Sequence, residues 1–166
     1  QVRVVRDVRL SFYQPEGSKI VTDVDLDFDA SRLMFSSIGS SKKWRVFELK
    51  ANGTGLRQIT PDLPDVDQFD SCYLPDGRIA FAASTTYQGM PCINGGAPMS
   101  QLFTSENTGK DIRQLTFEQD SDWTPAVHEN GRLMYLRWEY SDTPHYFSRL
   151  LFHANPDGTG QMEYFH

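Results

Sequence analysis

The sequence predicts an all-β chain: a β-propeller of four-stranded antiparallel blades, about three blades plus a partial one, read as a fragment of a larger propeller. Three observations carry this expectation. A strand–turn–strand hairpin recurs three times, at Asp25–Ser37, Asp70–Ser84 and Trp123–Arg137. An Asn/Gly turn followed by a short Arg-Gln-apolar-Thr strand recurs after the first two hairpins, at Asn52–Thr60 and Asn107–Thr116, with a looser copy at Asn155–Tyr164. Apolar residues follow a spacing of two rather than 3.6, so no amphipathic helix is expected.

The hairpins align on the arginine that opens each second strand: Arg32-Leu-Met-Phe35, Arg78-Ile-Ala-Phe81 and Arg132-Leu-Met-Tyr135. These arginines lie 46 and 54 residues apart. Four extended segments in about 40–50 residues is the period of a propeller blade.

Taken in order, residues 1–21 are expected to end a preceding blade, breaking at Gln14-Pro-Glu-Gly17. The first full blade spans 22–60, with strands at 22–28, 32–38, 44–50 and 56–60. The second spans 68–116, with strands at 68–74, 78–84, 101–105 and 111–116. Its Pro75-Asp-Gly77 turn has Pro pre-set for the second turn position and Gly free to take positive φ. A long Gly- and Pro-rich loop, 85–100, interrupts it. The third blade spans 122–165, with strands at 122–127, 132–138, 148–153 and 161–165. All belong to one propeller domain.

Composition narrows the function classes. At 166 residues, 39% hydrophobic and 13% aromatic, the chain suits a packed core. A net charge of −6 argues against a general nucleic-acid footprint. No apolar run of about 18 residues is present, so no membrane span is expected. The opening Gln1–Arg6 segment lacks the apolar stretch of a signal peptide. The two cysteines form no metal-finger or haem-attachment spacing. No Gly-x-Ser-x-Gly elbow occurs, and no catalytic set is evident.

Blade geometry places the loops joining second to third strands on one face, with the connections between blades. Loops 85–100 and 139–147 lie there, and long loops on a rigid scaffold are where binding residues concentrate. The candidate ligand-binding set is Trp138, Glu139, Tyr140, Asp142, His145 and Tyr146. Trp and Tyr suit stacking on a sugar or another flat small molecule. Asp142 and His145 are weak metal candidates. The plainer alternative is a loop pinned by its own hydrogen bonds. Asp62, Asp65, Asp67, Glu118, Asp120 and Asp122 add acidity to the same face, read mainly as solvated loop residues. The alternating Asp23, Asp25, Asp27 and Asp29 lack the glycine of a calcium loop and read as strand residues.

The hairpin, the Asn-Gly-Thr-Gly turn and the Arg-Gln-Ile-Thr strand together resemble TolB-type propeller repeats. Three stretches carry a closer resemblance: Phe69–Phe81, Gln88–Pro98 and Leu136–Gly158. They are similar to the middle domain of hydrazine synthase alpha subunit-like proteins. The resemblance implies a bacterial, exported protein, periplasmic or extracellular. It implies a scaffold or binding domain with no cofactor in this chain and with haem in flanking domains of the parent protein. Partners would be the remaining blades, from the parent chain or from partner subunits, and a small molecule or glycan on the long-loop face. The alternatives are a carbohydrate-active propeller, lyase-like or lectin-like, and the non-catalytic part of a multihaem redox enzyme. Relatives carry Cys after the second strand where this chain has Ala82-Ala83.

For an exported protein, Cys72 and Cys92 have two readings. A disulfide would close a loop of about twenty residues and contribute roughly 3 kcal/mol. Two buried free thiols would behave as small hydrophobes.

Overall fold

The computed structural model describes residues 20–84, 88–90, 93–139 and 149–165. The expected end of a preceding blade lies almost wholly outside the described residues. Twelve strands form three four-stranded antiparallel sheets, and within each sheet the strands pair in chain order. Blade 1 is β1 (Val21–Leu26), β2 (Arg32–Ile38), β3 (Trp44–Lys50) and β4 (Arg57–Gln58). Blade 2 is β5 (Gln68–Tyr73), β6 (Arg78–Ala83), β7 (Gln101–Glu106) and β8 (Arg113–Gln114). Blade 3 is β9 (Ser121–Val127), β10 (Leu133–Trp138), β11 (Arg149–Ala154) and β12 (Met162–Phe165).

Local chemistry fixes these elements. Leu74 N–H donates to the Arg78 carbonyl at 2.9 Å and Gly77 N–H to the Leu74 carbonyl at 3.0 Å. Asp76 Oδ1 accepts from Arg78 N–H at 3.0 Å, an Asx brace across the turn. The outer strands β4 and β8 are shorter than the sequence suggests, because a side chain takes over the ladder. Thr60 Oγ1 accepts from Val46 N–H at 3.0 Å, and Thr116 Oγ1 accepts from Leu102 N–H at 2.9 Å.

The core lies between the blades. Strand β6 is covered on both faces, which is why Ile79–Ala83 reads as an unbroken apolar run. Ile79, Phe81 and Ala83 face blade 1, where they meet Met34, Val46 and Ile59. Ala80 and Ala82 face blade 3, where they meet Leu133, Tyr135 and Phe152. A turn glycine closes each junction. At Gly109 (φ +75°) a Cβ would fall 2.1 Å from the Ile59 carbonyl oxygen. At Gly158 (φ +86°) it would fall 2.7 Å from the Leu115 carbonyl oxygen. Only glycine fits either position.

Candidate functional site

The three inner strands β1, β5 and β9 line a cavity of about 430 Å³. Each is bulged at a corresponding place, where its pairing with the second strand slips. A residue in the left-handed region sits in each bulge: Asp23 (φ 53°), Asp70 (φ 54°) and Thr124 (φ 55°). Asp tolerates that conformation, whereas a β-branched Thr does so only at a cost.

The bulges turn carboxylates toward the neighbouring blade. Asp25 Oδ2 accepts from Tyr73 N–H at 2.9 Å. Asp70 Oδ2 accepts from Thr124 N–H at 2.5 Å. Asp70 N–H in turn donates to Ser36 Oγ at 2.8 Å. Inner strands are thus tied blade to blade through main-chain donors. Ser71, which also lines the cavity, has a sealed hydroxyl with no hydrogen-bond partner among the described residues.

Burial raises the Asp25 and Asp70 carboxyls above the usual range, more than their backbone bonds lower them, and the charge of Asp23 adds to the rise at Asp70. Burial also pushes the Cys72 thiol far up, helped by Asp25 and Asp70. Cys72 is buried and bonded to no other cysteine among the described residues, and burial of this kind opposes formation of a thiolate. Cys92, its partner in the disulfide reading, lies outside the described residues. No three His, Cys, Asp or Glu side chains converge as a metal site among the described residues.

The long-loop face is described in part. Trp138 ends β10 opposite Ser121 and Arg149, is buried, and has the Arg149 guanidinium 5.6 Å from its ring centroid. Glu139 follows it, half-buried. Tyr140, Asp142, His145 and Tyr146 lie outside the described residues. Within loop 85–100, Met90 N–H donates to the Ala97 carbonyl at 2.8 Å and Met99 N–H to the Gln88 carbonyl at 2.9 Å. A Cβ on Gly89 would fall 2.5 Å from Gly95 Cα, so this small arm closes on glycine.

The acidic connections between blades are largely paired. Fully buried Arg45 donates to Asp62 Oδ1 at 3.2 Å and also to the carbonyls of Trp44, Leu63 and Val66. Gln101 holds the next connection through the carbonyls of Glu118 and Asp120 at 2.9 and 2.5 Å. Asp67 Oδ1 accepts from Trp44 N–H at 2.9 Å.

The alternating aspartates of β1 do not act together. Asp23 and Asp25 line the cavity, while Asp27 sits under the hairpin turn, 2.7 Å from Arg32 Nε. Burial raises the Asp27 carboxyl, but the bonds from Arg32 and Ser31 outweigh it and bring it down to about 2. The inner-strand bulges were not legible in the sequence. Their one signal is the aspartate at Asp23 and Asp70, a residue type that accepts positive φ.

No family model matches the sequence, and no curated protein matches it. Solved structures do. Hydrazine synthase from Kuenenia stuttgartiensis superposes with a TM-score of 0.72 at 15% identity, over 86% of this chain and 25% of that one. TolB from Acinetobacter baumannii gives 0.59 at 12% identity, over 86% of this chain and 32% of that one. A puromycin hydrolase gives 0.60 at 12% identity, over 87% and 22%. The chain spans between about a fifth and a third of the length of these structures. At such identities the likeness is one of fold: the chain shares its β-propeller architecture with hydrazine synthase and with TolB-type proteins.

Proposed function

We propose that this chain is the scaffold or binding sector of a larger exported β-propeller protein, periplasmic or extracellular, with no catalytic set of its own. One contrast carries the reading. In β5, Cys72 and Tyr73 are buried between neighbouring blades, whereas on blade 1 Val24 is 62%, Leu26 49% and Phe28 69% exposed. On blade 3, Met162 and Tyr164 are half exposed as well. Apolar surface of this kind marks an interface, and further blades supply the matching shape. In the cavity, Asp25 and Asp70 are taken up by main-chain donors of the neighbouring blade, which supports a scaffold role. No helix among the described residues is long and apolar enough to cross a membrane.

The test is the mass and peptide map of the native polypeptide from its source, with a stain for covalent haem. The expected result is a longer polypeptide, or a stable complex with another chain, free of haem. Haem-bearing peptides in the same polypeptide would make this the propeller of a multihaem redox enzyme. A native monomer of 19.0 kDa would overturn the proposal.

A further inference from the structure

Asparagine stands directly before glycine at three places in the chain: Asn52-Gly53, Asn94-Gly95 and Asn130-Gly131. All three asparagines are exposed. Glycine carries no side chain to shield its main-chain nitrogen. These are therefore the peptide bonds at which that nitrogen most easily reaches the amide carbon of the asparagine before it.

The folded chain treats the three glycine nitrogens alike. Gly53 N–H donates to the Lys50 carbonyl at 2.8 Å, Gly95 N–H to the Met90 carbonyl at 2.9 Å and Gly131 N–H to the His128 carbonyl at 2.8 Å. It treats the asparagine amides differently. Asn52 Oδ1 accepts from Thr54 N–H at 3.1 Å and from Thr54 Oγ1 at 2.8 Å. Asn130 Oδ1 accepts from Arg132 N–H at 3.0 Å. Both are Asx turns, which hold the side chain in one orientation. At Asn94 the N–H two residues on, that of Gly96, donates instead to the Ile93 carbonyl at 2.9 Å. The Asn94 amide has no hydrogen-bond partner among the described residues. It can turn its Cγ onto the Gly95 nitrogen, whereas Asn52 and Asn130 must first give up a bond.

Asn94 also stands where the main chain has no slack. It lies in the left-handed region (φ 53°), within the small arm of loop 85–100. The two legs of that arm touch at Gly89 and Gly95, where a Cβ on Gly89 would fall 2.5 Å from Gly95 Cα.

We propose that Asn94 is a site of spontaneous deamidation in the folded chain, and that its isoaspartate product opens the arm. The Gly95 nitrogen bonds to Asn94 Cγ and the Cγ–Nδ2 bond breaks. The amide nitrogen leaves as ammonia, taking the Gly95 amide proton. Water then opens the five-membered imide on either side. One opening gives aspartate. The other gives isoaspartate, whose main chain runs through Cβ and is one methylene longer. Both products add a negative charge to the long-loop face. Only isoaspartate lengthens the main chain beside the contact with Gly89.

The test compares the intact chain aged in mildly alkaline buffer with the same chain aged in concentrated urea. Peptide mapping separates asparagine, aspartate and isoaspartate at each site. The urea rates give the reactivity of each Asn-Gly pair without the fold, and the ratio of urea to folded rate is the protection at that site. Protection at Asn52 and Asn130 is expected to exceed that at Asn94 by at least about fivefold, the factor carried by one hydrogen bond. Equal or greater protection at Asn94 would overturn the assignment. Hydrogen exchange tests the consequence. In the isoaspartate fraction the amides of Met90, Gly95 and Met99 are expected to exchange at least about tenfold faster than in the parent. Asn94→Asp, which adds the charge alone, is expected to keep the parent rates. Unchanged exchange in the isoaspartate fraction, or equally fast exchange in Asn94→Asp, would refute the opening of the arm.

Discussion

Asp122 and Arg137 face each other across β9 and β10 with Oδ1 and Nε 2.9 Å apart, and both side chains are almost sealed from water. The Arg137 guanidinium also lies 4.3 Å from the Phe152 ring centroid and 3.2 Å from Glu118 Oε1. Arg137→Met strands a buried carboxylate, and loss of one partner of such a pair costs about 3–5 kcal/mol. The double variant Asp122→Asn/Arg137→Met regains much of that loss. Urea denaturation of the three proteins measures it. Equal destabilisation by the single and double variants would count against the pairing.

Two aspartates are expected to titrate with opposite signs. Asp27 is held down to about 2, so its contribution is present above the ordinary carboxylate pKa of about 3.9 and fades as pH falls toward 2. Asp70 is raised, so its contribution is present at low pH and is lost as pH rises through the folded-state value. Asp27→Asn therefore lowers Tm at neutral pH, and its deficit shrinks in acid. Asp70→Asn keeps an oxygen for Thr124 N–H, raises Tm at neutral pH, and converges with the parent in acid. Parallel Tm–pH curves for either variant would refute that assignment.

The junction glycines set a third expectation. Gly109→Ala and Gly158→Ala each place a methyl group against a neighbouring carbonyl and force a positive φ on alanine. Each costs roughly 1–3 kcal/mol in equilibrium unfolding. Gly77, with open space around its missing Cβ, bears only the conformational part and loses less.

Phe81 and Phe117 separate burial from composition. Phe81 is fully buried and stacks on Phe103 at 6.0 Å, so Phe81→Ala costs about 3–5 kcal/mol. Phe117 is 75% exposed, and Phe117→Ala stays within about 0.5 kcal/mol. Comparable losses would mean that Phe117 is covered in solution.

The hairpins were legible because their chemistry is local: Pro75, Asp76 and Gly77 specify a turn wherever they stand. Ile79–Ala83 was legible because a strand covered on both faces needs no alternation. The bulges at Asp23, Asp70 and Thr124 were not, since none is the glycine that announces positive φ. Asp27 parts from Asp25 because it stands just past the end of β1, where the hairpin turn brings Ser31 and Arg32 onto its carboxylate, which alternation alone does not reveal. The clamp on Glu48 was not legible, because its partners Arg57, Tyr73 and Asn107 lie up to 59 residues away. The acidic face read as solvated because Arg45 and Arg137 reach it from strands that look apolar.

At each junction a turn glycine of one blade meets a main-chain carbonyl of the blade before it, Gly109 on Ile59 and Gly158 on Leu115. Carbonyls do not change when side chains do. A blade copied whole by gene duplication would carry both halves of this fit, the glycine at its front and the carbonyl at its back. The number of blades is thereby freed from the drift of core residues. Such a lineage changes more readily by gaining or losing whole repeats than by reshaping the seam between them.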